Sequence, residues 1–357
     1  MIAVPDPYAD LALHPGLRDR VLQEVTRSPA GSYLLLGLRG YGKTGLLQQV
    51  GDLIESRDGM ALRLIPLPRQ TLGTALIGAA ELLLARASHR NPGLAEARRA
   101  LDRFAASGRE QFDALLSLLL ALESLARSQD RKILVIVDDL HDYSPRSVQL
   151  FLAVLTQLQS AAHPIALLAA GFPGLAVPPG VQTSGIEALS ESQAADYLIG
   201  PAARRGVKFE AGALRKLVQA SGGHPAILRA LGRQAWSLSQ GSPIRLDVAM
   251  HAIAAAMAEL DAGFFRWKFA TLTAPELRYL RAMVEVAGEC KRSGSIAAVL
   301  QRPVTAVAPI RASLIGKGLL YCPRRGDTAF TTPLHAEFLR RTLPPLRPQS
   351  DHVSLAP

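Results

Sequence analysis

The sequence predicts an α/β core on a parallel sheet, then a helical segment, then a compact C-terminal unit of three helices and a hairpin. Three observations carry this. Apolar runs at Tyr33 to Leu36, Ala61 to Leu67, Lys132 to Val137 and Pro164 to Ala170 alternate with helical stretches such as Ala75 to Ala87 and Gln111 to Arg127. A glycine-rich octapeptide stands between the first run and the helix that follows it. Beyond Thr273 the pattern breaks into short helices closed by an arginine-tipped turn.

The octapeptide is Gly37-Leu-Arg-Gly40-Tyr41-Gly42-Lys43-Thr44, and it fits the pattern of a phosphate-binding loop. A buried strand precedes it, and Leu46 to Val50 opens a helix behind it. Glycines let the backbone N–H groups of the loop, through Tyr41, Gly42 and Gly45, face an anion at the helix N-terminus. Lys43 is positioned to reach the β and γ oxygens of a nucleotide, and the Thr44 hydroxyl to hold Mg²⁺. Lysine is scarce in this chain, 7 residues against 33 arginines, so its place in the pattern is unlike chance.

The third apolar run, Ile133 to Val137, ends in Asp138-Asp139, two carboxylates at the edge of the sheet where open α/β folds bind ligands. This reads as a Walker B element. Asp138 is expected to hold Mg²⁺ through water and Asp139 to polarise an attacking water. The pair follows Thr44 by 94 residues, with a strand and helices between. An acidic pair in isolation is also a common turn or helix cap.

A chain of 357 residues suits two or three domains. Gly and Pro interrupt the long apolar stretches, such as Ile165 to Val177, so no membrane-spanning helix is expected. The N-terminus lacks the basic start and apolar core of a signal peptide, and Cys290 and Cys322 have no metal-type spacing. A reducing cytoplasm is the expected compartment. The eight histidines form no paired ligand motif, which argues against a bound transition metal. Of the net charge of +10, residues 262–345 carry +8, from 13 Lys/Arg and 5 Asp/Glu. A charge so placed favours an anionic partner, most simply nucleic acid, over an ordinary solvated face.

Four segments resemble bacterial AAA-type ATPases related to the origin-recognition and STAND groups: Gly37 to Thr44, Ile133 to His141, Ala169 to Leu175, and Ser221-Gly-Gly-His-Pro-Ala-Ile-Leu228. The resemblance continues through Phe264-Phe265, Arg278 to Met283, Leu314 to Leu319 and Gly326 to Pro333. It implies an α/β P-loop NTPase core over residues 1–186, a helical lid over 187–258 and a winged helix-turn-helix over 259–345. It also implies ATP and Mg²⁺ as cofactors, bound by Lys43, Thr44, Asp138 and Asp139. Gly223-His224-Pro225 matches the lid motif whose proline abuts the base. A local reading of Pro225 stands beside that one, since Gly222-Gly223 can end one helix and Pro225 start the next.

Two departures from the family pattern bear on rate. The fourth run ends in Ala169-Ala170-Gly171, without the polar side chain that many relatives use to sense the γ-phosphate. Residues 172–203 contain no arginine, where the family usually places one that reaches a neighbouring subunit. Both favour a slow switch over a fast motor. Arg204, Arg205 and Arg229 remain lid candidates.

In the lid, Ser190-Glu-Ser-Gln193 has the form of a capping box, and helices are expected over Leu214 to Ala220 and Ala226 to Leu238. Beyond it, helices over Ala274 to Val286, Ser293 to Leu300 and Thr305 to Gly316 precede a hairpin tipped by Arg324-Arg325-Gly326-Asp327. That order is a winged helix. Arg302, Arg311 and Lys317 around the third helix, with Arg324 and Arg325, are the nucleic-acid candidates. The third helix offers few side chains able to read base edges, so shape and phosphate contact with double-stranded DNA are expected. The proline-rich tail, residues 346–357, is expected to be disordered.

Two functions are consistent with these motifs. One is an ATP-binding switch that hydrolyses slowly and engages DNA. The other is a STAND-like signalling or scaffold ATPase whose winged helix binds a partner protein, with nucleotide exchange controlling assembly and hydrolysis small or absent; a homo-oligomer is a further partner consistent with the motifs.

Overall fold

The computed structural model describes residues 7–8, 14–27, 31–65, 70–87, 91–107, 111–173, 175, 177, 180–239, 241–288, 290–332 and 334–346. The tail beyond residue 346 lies outside them. The chain forms two compact units, one of residues 12–37 and 42–186, the other of residues 1–11, 38–41 and 187–357.

The first unit is built on five parallel strands, β1 (Ser32–Gly37), β2 (Met60–Leu64), β3 (Ile133–Val137), β4 (Ile165–Gly171) and β5 (Gln182–Ile186). Their order is β2-β3-β4-β1-β5. Every residue of β3 and β4 is buried, which is why both read as unbroken apolar runs. Edge strand β2 instead alternates buried and half-buried positions. It ends at Leu64, earlier than the sequence predicts, and residues 66–69 lie outside the described chain. Strand β5 escapes sequence reading because Gln-Thr-Ser-Gly-Ile offers almost no apolar signal; it forms by pairing along β1.

Among the described residues, six helices accompany the sheet: α1 (Pro15–Thr26), α2 (Lys43–Glu55), α3 (Leu72–Arg86), α4 (Leu94–Ala106), α5 (Phe112–Arg127) and α6 (Pro145–Ser160). Leu118, Leu122 and Leu125 of α5 share one core with Phe151 and Leu155 of α6 and with Val135 and Leu167 of the sheet. Each such leucine contributes about 1.5–3 kcal/mol by leaving water. Ser144 caps α6 by accepting the Ser147 N–H, and Pro145 occupies the first turn, where its missing N–H costs nothing.

The second unit begins with α7 (Glu191–Ala203), α8 (Ala211–Ser221), α9 (Pro225–Leu238) and α10 (Leu246–Leu260). The capping box at Ser190 and Gln193 forms as the pattern predicts. Gly222 takes a left-handed conformation after α8, and Pro225 opens α9. A π-turn and α11 (Arg266–Ala270) lead to α12 (Ala274–Glu285), β6 (Lys291–Arg292), α13 (Ser293–Val299), α14 (Val304–Gly316), β7 (Leu320–Tyr321), β8 (Asp327–Phe330) and α15 (Leu334–Thr342). Strand β8 lies antiparallel between β6 and β7. Phe265 and Phe269 stack on Phe338 at centroid distances of 5.2 and 5.0 Å, and the buried His335 ring stands edge-on to both.

Glu276 ties this last segment together. Its carboxylate accepts the Thr273 N–H at the start of α12 and reaches Ser313 and Lys317 at the end of α14, each at 2.7 Å. Burial pushes its pKa up, but the hydrogen bonds from Lys317, Thr273 and Ser313 outweigh burial and bring it from 4.5 down to about 2. The folded carboxyl is the stronger acid, so the stability it contributes is complete above pH 4.5 and disappears as pH falls towards 2. Urea unfolding followed over that range is expected to show a declining free energy in the wild type and a shallower decline in Glu276→Gln.

Candidate functional site

Strand β1 delivers the chain to Gly37, and α2 starts at Lys43, so residues 38–42 are the loop between a buried strand and a helix N-terminus. Gly40 and Gly42 have φ of 82° and 91°, a region that side-chain-bearing residues rarely enter. Gly42 caps α2 in that conformation and leaves the first N–H groups of the helix without intrahelical partners. Those donors and the helix dipole form an anion site. Gly45, by contrast, has open space where a β-carbon would stand, so no steric reason demands glycine there.

Lys43 is only 5% exposed. Its Nζ donates to the Gly37 carbonyl at 2.8 Å and lies 5.6 Å from the centre of the Phe172 ring. Across the sheet edge, the Thr44 hydroxyl donates to Asp138 Oδ2 at 2.7 Å, and Asp138 Oδ1 accepts the Asp139 N–H at 2.9 Å. The pKa of Asp138 is raised, chiefly because burial penalises its charged form; the Thr44 hydrogen bond opposes this, the Asp139 charge adds to it and the Lys43 charge offsets it. A hydroxyl and a carboxylate in contact are hard oxygen donors of the kind Mg²⁺ takes, and a divalent cation beside them would favour the ionised carboxylate. The residues present therefore fit a nucleotide with Mg²⁺: loop N–H groups and Lys43 for the phosphates, Thr44 and Asp138 for the metal.

Asp139 has φ 44° and ψ 53°, left-handed, and starts the short 3₁₀ turn Leu140–Asp142. That turn brings His141 to 3.9 Å from Asp139 and 3.5 Å from Asp142, with ligand-type atoms of all three within 4.8 Å of one another. The His141 ring lies against Phe172, centroids 3.6 Å apart. Phe172 thus occupies the ground just beyond β4, between a catalytic-type lysine and a histidine. Sequence reading assigned no part to His141 or Phe172, because only the tertiary arrangement joins residues 43, 141 and 172.

The second unit contains the loop apex, residues 38–41, and places it against the start of α9. The Ala226 N–H donates to the Gly40 carbonyl at 3.2 Å, and Pro225 is buried in the first turn of that helix. Tyr41 is buried and meets the His224 ring edge-on at 4.7 Å.

The basic candidates of the C-terminal segment divide into two groups. Arg302, Arg324 and Arg325 are exposed. Arg311 is engaged inside the segment, donating to Thr328 Oγ1 at 2.7 Å and to the Asp327 carbonyl at 2.9 Å, and Lys317 is bonded to Glu276.

Residues 17–168 match the family model described as AAA ATPase domain, and residues 262–339 match a domain of unknown function (DUF8462). No curated protein sequence matches the chain. Among solved structures, the Walker-type ATPase PABY2304 of Pyrococcus abyssi is similar with a TM-score of 0.61 at 15% identity, over 92% of this chain and 95% of that one. Cdc6p from Pyrobaculum aerophilum is similar with a TM-score of 0.52 at 15% identity, over 95% and 98%. At such identities the likeness is one of fold. The five-stranded parallel sheet of the first unit with its flanking helices matches a P-loop NTPase core of the AAA type, the kind of domain found in ATPases.

Thermal unfolding tests the loop directly. Mg·ATP at about 100 times its dissociation constant is expected to stabilise the wild type by about 2.7 kcal/mol. Lys43→Ala is expected to unfold at one temperature with or without it.

Proposed function

We propose that this chain is a slow, Mg²⁺-dependent ATP switch whose C-terminal segment is a winged helix that engages duplex DNA. The observation that carries the reading is the direct bond between Thr44 and Asp138, with Asp139 adjoining, at the end of a fully buried strand. In this scheme Lys43 and the loop N–H groups hold the phosphates, Thr44 and Asp138 hold Mg²⁺, and Asp139 orients and polarises water. Pro225 is the residue assigned to the base. Slowness is supported by the aromatic Phe172 beyond β4, where a polar group would sense the γ-phosphate, and by the absence of arginine from residues 172–203.

The DNA half of the reading rests on order and charge. A helix, a short strand, two helices and a two-stranded hairpin, with β8 between β6 and β7, is the order of a winged helix. Arg302, Arg324 and Arg325 then supply phosphate contacts, while Arg311 and Lys317 hold the segment together. The exposed positions Thr305, Ala308 and Ala312 of α14 offer little base readout, which supports shape and backbone contact. The same plain surface supports the second reading, a scaffold ATPase that binds a protein partner or another copy. No described helix is long and apolar enough to cross a membrane; cytoplasmic operation is part of the proposal.

Turnover and DNA binding test the two halves separately. Phosphate release by purified protein is expected to drop by about a hundredfold or more in Asp139→Asn; equal release would remove Asp139 from the catalytic role. Binding of random duplex DNA is expected to weaken steeply with salt, and Arg324→Ala/Arg325→Ala to lower the slope of log K against log salt by about 2. A wild type without duplex affinity at low salt would overturn the DNA reading in favour of the protein partner.

A further inference from the structure

The apex of the phosphate loop is held from outside at three points, all within the second unit. The Arg39 N–H donates to the Thr331 carbonyl at 3.1 Å, the Arg39 carbonyl lies 3.0 Å from His224 Nε2, and the Gly40 carbonyl accepts the Ala226 N–H at 3.2 Å. Two of these three partners stand at the start of α9. A peptide group has opposite ends, so a loop whose carbonyls are drawn outward turns the N–H groups that follow them inward, which is the orientation an anion requires.

We propose that His224 is a positioning residue for nucleotide binding: its Nε2–H fixes the Arg39 carbonyl and thereby pre-orients the N–H groups of the phosphate loop. The inference rests on the reading of that loop as a nucleotide site.

Three observations converge on this role. A carbonyl only accepts, so the 3.0 Å contact requires the proton on Nε2. The side chain is 4% exposed, and burial lowers its pKa to about 4, so the ring is neutral near pH 7 and carries that single donor. Finally, the fit is close: a β-carbon on Gly40 would stand 2.3 Å from His224 Cε1, and Tyr41 meets the ring edge-on at a centroid distance of 4.7 Å. The ring therefore fills the space that glycine at position 40 leaves, and its donor meets the adjoining carbonyl.

His224 touches neither phosphate nor water in this scheme, so its removal should raise the dissociation constant and spare the chemical step. The experiment measures binding of Mg·ATP and of Mg·ADP by titration calorimetry, with steady-state kcat and KM, in wild type, His224→Gln, His224→Phe and His224→Ala. Glutamine keeps an N–H donor at the Nε2 distance, whereas phenylalanine keeps the ring on Tyr41 and removes the donor. The expected result is near wild-type affinity for Gln, a loss of about tenfold for Phe and Ala in both nucleotides, and kcat within about twofold throughout. Circular dichroism melts identify any variant that fails to fold; should Ala fail, Gln against Phe still decides. Equal affinity of Phe and wild type would overturn the inference, as would equal losses in Gln and Phe. A wild type that binds neither nucleotide would instead overturn the nucleotide reading of the loop.

Discussion

A buried ammonium sets the conditions under which this core works. Lys43 stands at the first turn of α2, where its ammonium donates to the Gly37 carbonyl, lies over the Phe172 ring and has the Asp138 charge nearby. Such a group is costly inside a protein unless an anion meets it. Asp138 has its own ionised form penalised by burial, a penalty that the Thr44 hydrogen bond and the Lys43 charge oppose. The Thr44 hydroxyl, hydrogen-bonded to that carboxylate, extends this polar cluster at the end of β3. A phosphate chain with a divalent cation inserts into such a cluster without leaving either charge unmatched.

How far the sequence foretells this depends on whether a feature is local. Strands β1, β3 and β4 are legible because both faces are buried and the side chains form continuous apolar runs. Gly37 to Thr44 and Asp138-Asp139 are legible because the residues that act together are adjacent in the chain. Strand β5 is not, since its five residues become a strand only by hydrogen bonding to β1. The same holds for His141 against Phe172 and His224 against Arg39, contacts across 31 and 185 residues. A histidine in a turn or at a helix start carries no local mark of what its ring will meet.

Charge in the C-terminal segment illustrates a related difficulty. Its net charge counts every guanidinium alike, yet Arg281 is paired with Glu285, Arg341 with Asp261, Lys317 with Glu276, and Arg311 is bound into the hairpin. These groups hold α12, α14, α15 and the hairpin in register. Exposed arginines remain at Arg266, Arg292, Arg302, Arg324, Arg325 and Arg340, so the positive field open to an outside anion is smaller than composition suggests.

The left-handed backbone at Asp139 also limits how this protein can change. Aspartate and asparagine tolerate that region better than other side chains because their short polar group bonds locally, while a longer acid loses that compensation. Glutamate at this point would bring a longer-reaching carboxylate and a more strained backbone. In the role proposed for Asp139, that replacement would trade side-chain reach against backbone strain, and a second change that lets the turn after β3 relax would relieve the strain.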